Sequence, residues 1–188
     1  KILKLKELFS PPGRSRLGMA YIRTLVFSPS TSVLKNFLST LRSLPGLTIH
    51  GGLIDGRKRN EPPPFGIIAK SQLSETLELH FLSIPFAEEF SPLWRVFSTR
   101  SIGAILICDA ILERHLGDFQ AIKTVMREGR KKGIVYVFLG EGEASEKQKL
   151  LLQGAMRLGV DEAVYTLSHN HLESASSMLT EMLDIVLL

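Results

Sequence analysis

Short apolar runs alternate along this chain with longer segments whose apolar positions recur every three or four residues, which predicts strands and helices in turn. The first such pair is a strand from Tyr21 to Phe27 and a helix from Val33 to Ser43, with Val33, Leu34, Phe37, Leu38 and Leu41 on one face and Pro45 and Gly46 closing it. His50 to Gly66 is crowded with Gly, Pro and charge and is expected to be a mobile loop. Two strands, Phe65 to Lys70 and Thr76 to Ser83, follow with a polar turn between them. In the second, Leu77, Leu79 and Phe81 alternate with Glu78, His80 and Leu82, as in a strand near a sheet edge. Ile84 to Pro92 then leads as a loop into a short helix at Leu93 to Thr99.

The second half is more regular. Ile102 to Cys108 is a continuous apolar run, the signature of a strand buried on both faces of a parallel sheet. A helix from His115 to Lys132 follows, with Arg130, Lys131 and Lys132 suited to the negative end of its dipole. Strand Ile134 to Leu139, helix Ser145 to Leu158, strand Ala163 to Leu167 and helix His171 to Leu187 complete the series, the last helix burying Leu172, Ala175, Leu179, Met182 and Val186. This succession predicts an α/β fold, doubly wound, with a mostly parallel sheet and helices on both faces. Residues 21 to 188 are read as that one domain, and residues 1 to 20, which break at Pro11, Pro12 and Gly13, as an arm or linker. A ligand crevice would lie beyond the carboxyl ends of the strands, at Ser28 to Ser32, Asp109 to Ala110 and Gly140 to Glu143.

Composition narrows the picture only a little. With 188 residues and 44% hydrophobic content the chain can bury one substantial core. Its 23 basic and 19 acidic residues give a net charge of +4, too mild to point to nucleic acid. The one cysteine, Cys108, sits inside the apolar run, which excludes a disulfide framework and a thiolate metal site and makes it a core residue. No apolar stretch reaches membrane-spanning length and no secretory signal is present, so a cytoplasmic location is expected. The start at Lys1 rather than methionine suits a segment of a longer protein.

Candidate chemistry centres on Phe27 to Phe37, which follows a strand and opens a helix, as a phosphate loop does. Such a loop needs glycines to curl its N–H groups around phosphate oxygens, a lysine for the outer phosphates and a hydroxyl for magnesium. Here Ser28, Val33, Leu34 and Lys35 stand in those places. Each charge-assisted bond to a phosphate contributes on the order of 1.5 to 3 kcal/mol, so losing lysine, hydroxyl and both glycines removes ordinary nucleotide affinity. Lys35 alone keeps a charge near the helix start, as a candidate contact for a lone anion.

Leu77 to Phe97, LELHFLSIPFAEEFSPLWRVF, resembles the strand and second switch of bacterial Ras-like small GTPases of the gliding-motility and cell-polarity branch. Their pattern is close to L-x-L-H-x-x-G-T-P-G-Q-E-R-F with a tryptophan a few residues on. Leu79, His80, Pro85, Glu88, Phe90 and Trp94 match it, whereas Ser83, Ile84, Phe86, Ala87 and Glu89 replace the glycine, threonine, second glycine, glutamine and arginine. The family's guanine-reading N-K-x-D falls near Gly140 to Glu143, where a solvated turn is expected and Glu141 or Glu143 are the acids present. The resemblance implies a pseudo-GTPase: a Ras-like fold with no catalytic residue, metal or cofactor, hydrolysis failing at Ala87 and for want of a magnesium ligand. It would serve as a protein interaction or scaffold module in bacterial signalling, polarity or motility, with no nucleic acid partner and no membrane insertion, and its oligomeric state unread. Phe86, Phe90 and Trp94 become candidate partner contacts, with the core as the alternative place for Phe90 and Trp94.

Two alternatives stay open: a divergent GTPase that retains nucleotide, and a degenerate response-regulator receiver domain. The receiver is suggested by the first strand and helix and by the closing GAMRLGVDEAVYTLSHNHLESASSMLTEML. It would need paired acids after the first strand, where Phe27 and Ser28 stand, and a phosphorylatable aspartate that LELHFLSIP does not supply. Other chemistry is thinner. His169 and His171 have ligand spacing but no third ligand, Asp109 suits a turn cap, Ser28, Ser30, Thr31 and Ser32 have no partner histidine, and Arg57 to Arg59 is a basic loop facing water.

Overall fold

The computed structural model describes residues 13–14, 20–42, 44–108, 112–128, 133–140, 143–168 and 172–187. The apolar runs form a sheet of eight strands: β1 (Gly13–Arg14), β2 (Ala20–Ser28), β3 (Leu47–Ile49), β4 (Gly66–Ser74), β5 (Leu77–Pro85), β6 (Gly103–Cys108), β7 (Gly133–Leu139) and β8 (Glu162–Leu167). Their order is β3-β4-β5-β2-β6-β7-β8, with β1 beside the start of β2. β5, β2, β6, β7 and β8 run parallel, while β3 and β4 form an antiparallel arm on β5. A flavodoxin-like receiver sheet is parallel with strand order 2-1-3-4-5, so the antiparallel arm takes this fold away from that alternative.

Period-two alternation divides the side chains between two cores. Ile22 and Val26 of β2 face helices α1 (Thr31–Leu41) and α5 (Leu172–Leu187), packing with Leu34, Phe37, Leu41, Met178 and Met182. Leu25 and Phe27 face α2 (Ser91–Ser98), α3 (Leu116–Arg127) and α4 (Glu143–Met156), through Trp94, Phe119, Ile122 and Leu152. Cys108 lies in this second core, as its apolar setting predicts. The strands are buried on both faces because a helical layer covers each, which is why β6 and β7 read as unbroken apolar runs. A Cβ at Gly103 would run into the Gly133 carbonyl, so β6 and β7 start at a contact only glycine allows.

Several boundaries differ from the sequence expectation. The first helix starts at Thr31, not Val33, because Ser30 caps it. β3 is an added strand, too short to show a period. The hairpin turn is Glu75–Thr76, so β4 extends to Ser74. β5 lies between β4 and β2 rather than near an edge, and its polar Glu78 and His80 sit on a face that α2 leaves partly open. α3 ends at Arg127, and Arg130 to Lys132 lie outside the described residues.

At the start of β7 and β8 the α2–α4 side holds a buried polar knot. The Glu162 carboxylate, with a fully buried side chain, accepts from Lys123 Nζ at 2.8 Å, Arg127 at 3.2 Å, Tyr136 OH at 3.3 Å and the Gly159 N–H. Lys123 also donates to the carbonyls of Met156 and Arg157, capping the end of α4. Burial first, and the Glu162 charge second, raise the Tyr136 phenol far above the usual tyrosine range. These groups tie α3 and α4 to the sheet and are satisfied by one another, as buried charges must be. No helix among the described residues is long and apolar enough to cross a membrane.

Candidate functional site

The place where this fold would cradle a phosphate is the junction of β2 and α1, and here only Pro29 and Ser30 separate strand from helix. Ser30 is extended, at φ −155° and ψ 161°, and its Oγ accepts from the Val33 N–H at 3.3 Å, an N-cap that starts the helix within the stretch a phosphate loop would need. The Leu34 N–H then makes the first intrahelical bond, to the Ser30 carbonyl at 3.0 Å. The remaining first-turn donors are taken by another segment. Thr31 N–H donates to the Glu61 carbonyl at 3.0 Å and Ser32 N–H to the Arg59 carbonyl at 3.2 Å. Thr31 Oγ1 adds a bond to the Pro62 carbonyl at 3.1 Å. A helix N-terminus attracts anions because these N–H groups are unpaired; in this chain they are paired internally.

The segment supplying those carbonyls was expected to be a mobile loop, and it is pinned instead. A short 3₁₀ turn, Gly51–Leu53, opens it, Ile54 is buried in the α1–α5 core, and Pro63 and Pro64 are buried at its end. Arg57, Lys58 and Arg59 remain exposed at its tip. Sequence reasoning passed over Arg59 and Glu61 here because their contribution is through backbone carbonyls, which no side-chain motif announces. The run Ser30–Thr31–Ser32 ahead of an apolar helix was the available signal, since it marks a capped start.

The four positions that stand for the phosphate-loop residues are dispersed by the helix. Ser28 is fully buried, its Oγ donating to the Ser30 carbonyl at 3.0 Å. Leu34, in the lysine's place, is fully buried in the core under α1. Val33 and Lys35 are half-buried on the helix flank.

The second-switch segment is likewise incorporated into the scaffold. Ser83 and Ile84 are fully buried within β5, and Ser83 Oγ has no hydrogen-bond partner among the described residues. Trp94 Nε1–H donates to the Pro85 carbonyl at 3.1 Å, and its ring meets Phe27 edge-on at 6.0 Å. Phe86 contacts Phe27 and Phe119, at 6.4 and 5.2 Å between centroids. The structure therefore places Phe86, 6% exposed, and Trp94, 2% exposed, in the core instead of on a partner-facing surface. Phe90 ends a 3₁₀ turn, Glu88–Phe90, and is half-buried. Ala87 is exposed and carries no group that orients water.

The other crevice positions are only partly in view. Gly140 turns at φ +90° and its N–H meets the Leu167 carbonyl at 2.8 Å. Asp109, Ala110, Glu141, His169 and His171, and the side chain of Glu143, lie outside the described residues. Among the described residues no three His, Cys, Asp or Glu side chains converge as a metal site.

Comparison with solved structures finds a likeness to the Arl6 (BBS3) small GTPase of Trypanosoma brucei with the nucleotide analogue GppNp bound, at a TM-score of 0.50 and 11% identity, over 89% of this chain and 98% of that one. No known family profile and no curated protein matches the chain. The architecture, an α/β mostly parallel sheet with an antiparallel arm and helices on both faces, is that of the small GTPases.

Proposed function

We propose that this chain is a pseudo-GTPase: a small-GTPase-like module that binds no nucleotide, catalyses no hydrolysis and works as a protein interaction or scaffold unit. The observation that carries this reading is the pairing of the Thr31 and Ser32 N–H groups with the Glu61 and Arg59 carbonyls. A nucleotide would have to break these bonds, and it would then find Leu34 in the core where a lysine is needed and the Thr31 hydroxyl already bonded to the Pro62 carbonyl. The segment stands in for the ligand that other members of the fold bind. The match of Leu79, His80, Pro85, Glu88, Phe90 and Trp94 to the bacterial polarity and motility branch suggests assemblies of that kind as its setting.

The rival reading is a divergent GTPase, favoured by the fold's likeness to a nucleotide-loaded small GTPase and by Lys35 beside the helix start. Titration with fluorescent GTP and GDP in the presence of magnesium separates the two. No saturable binding is expected, and micromolar or tighter binding that Lys35→Ala abolishes would overturn the proposal.

A further inference from the structure

On the α2 side of the sheet, away from the β2–α1 junction, three basic side chains stand in one row across three strands. Arg23 of β2 is in register with His80 of β5, and His80 with Lys70 of β4. Residues in register share a face and lie side by side, and like charges so placed repel. The next row holds Tyr21, Glu78 and Gln72. The Tyr21 ring stacks on the His80 imidazole at 4.6 Å, and the Arg23 guanidinium lies 5.7 Å from the Tyr21 ring and 5.5 Å from that of Phe97 on α2. Glu78 is the acid in the cluster, held by His80 Nε2 at 2.9 Å. Among the described residues Arg23 Nε and His80 Nδ1 are buried without a hydrogen-bond partner, and His80 as a residue is only 6% exposed.

Beside this row runs a shallow groove of about 440 Å³ lined by His50, Gly52, Leu53, Ile67 and Lys70. Leu53 and Phe65 are 43% and 44% exposed, and Phe65 reaches Phe97 at 5.4 Å. Among the described residues, cations short of a counter-charge thus adjoin an open apolar shelf.

We propose that the Arg23, His80 and Lys70 row receives an acidic side chain from a segment of a partner protein, with a neighbouring large apolar side chain of that segment in the Leu53–Ile67 groove. This names a partner class for the interaction module and in that respect rests on the proposed function. A carboxylate there accepts from Arg23 and Lys70, supplies the missing counter-charge and favours the His80 imidazolium. An inorganic anion would use the row and leave the groove empty, so the apolar requirement marks a peptide.

The test is a selection of random peptides displayed on phage against the purified chain, repeated on the double variant R23Q/K70Q. The expected winners carry Asp or Glu beside Leu, Ile or Phe, bind the double variant about 10-fold or more weakly, and bind a variant with Arg57, Lys58 and Arg59 all changed to Gln as tightly as the unaltered chain. Lys70→Glu is expected to weaken the same peptides, with circular dichroism confirming that each variant is folded. On peptide binding the His80 ring resonances should titrate at higher pH. No enrichment, winners without an acid, or equal binding by folded R23Q/K70Q overturns the proposal. Nucleotide binding in the earlier titration would remove the pseudo-GTPase reading and leave this surface standing, so the two failures are distinguishable.

Discussion

Leucine at position 34 fills the core beneath α1, and in the proposed reading it stands where a phosphate-binding lysine would. A lysine there would bury an unpaired charge, so in the proposed reading one substitution does not supply the missing cation. Trp94 is likewise a scaffold residue, through its ring against Phe27 and its bond to the Pro85 carbonyl. Trp94→Ala should lower stability by about 3–5 kcal/mol, the cost of a large aromatic cavity. Urea unfolding followed by far-UV circular dichroism measures this, since the substitution removes the chain's single tryptophan. His80 carries a different prediction. Burial holds its imidazole below the ordinary histidine range, opposed by the bond to Glu78 and assisted by the charges of Lys70 and Arg23, with Tyr21 stacked on its face. The unfolded chain therefore binds the proton more readily, so His80 stabilises the fold fully above about pH 6.5, the unfolded value, and progressively less as pH falls below it. The difference between unaltered chain and His80→Phe in urea midpoint should shrink or change sign between neutral and mildly acid pH; a constant difference would refute it.

At the scale of elements, the junction of α1 with the 51–64 segment is where sequence and structure part. Strand and helix order was legible because each helix and strand keeps its period, and the continuous runs of β6 and β7 announced a sheet covered on both faces. The backbone pairing at the tip of α1 was not legible, since Arg59 and Glu61 act through carbonyls, and β3 has only three residues. Nor did the pattern distinguish Phe86 and Trp94 on a surface from the same residues in a core, because an aromatic just past a strand or on a short helix suits either. The junction can be tested by Thr31→Pro. Proline is well placed at the first helical position, and the extended Ser30 tolerates a following proline. The change deletes the donor to Glu61 and the hydroxyl to Pro62 while leaving α1 intact. With each bond contributing about 0.5–1.5 kcal/mol, amide hydrogen exchange in residues 55–63 should quicken about 10-fold, with the sheet unaffected. Thr31→Val, which removes the hydroxyl alone, should give a smaller effect. Unchanged exchange in both would mean that Ile54 and the buried prolines hold the segment without help from α1.

For the whole molecule the proposed reading predicts a fold whose stability is independent of nucleotide. A ligand that binds only the folded state adds stability by mass action, about 2.7 kcal/mol at a concentration 100 times its dissociation constant. In a domain of this size that corresponds to a rise in melting temperature of roughly 5–11 °C. Here the donors at the tip of α1 are already satisfied by residues of the same chain, whose local concentration no free ligand matches. The two cores share one sheet, so the pinned segment, through Ile54 in the α1–α5 core, stabilises a continuous structure instead of a detachable lid. Millimolar GTP or GDP with magnesium should therefore leave the melting temperature unchanged to within about 1 °C. The Thr31→Pro variant should melt earlier and still show no rise with nucleotide, because freeing the helix tip restores neither the lysine nor the magnesium hydroxyl. A nucleotide-dependent rise in that variant alone would show that the segment guards a site which can still bind, and a rise in the unaltered chain would show that the segment yields to nucleotide.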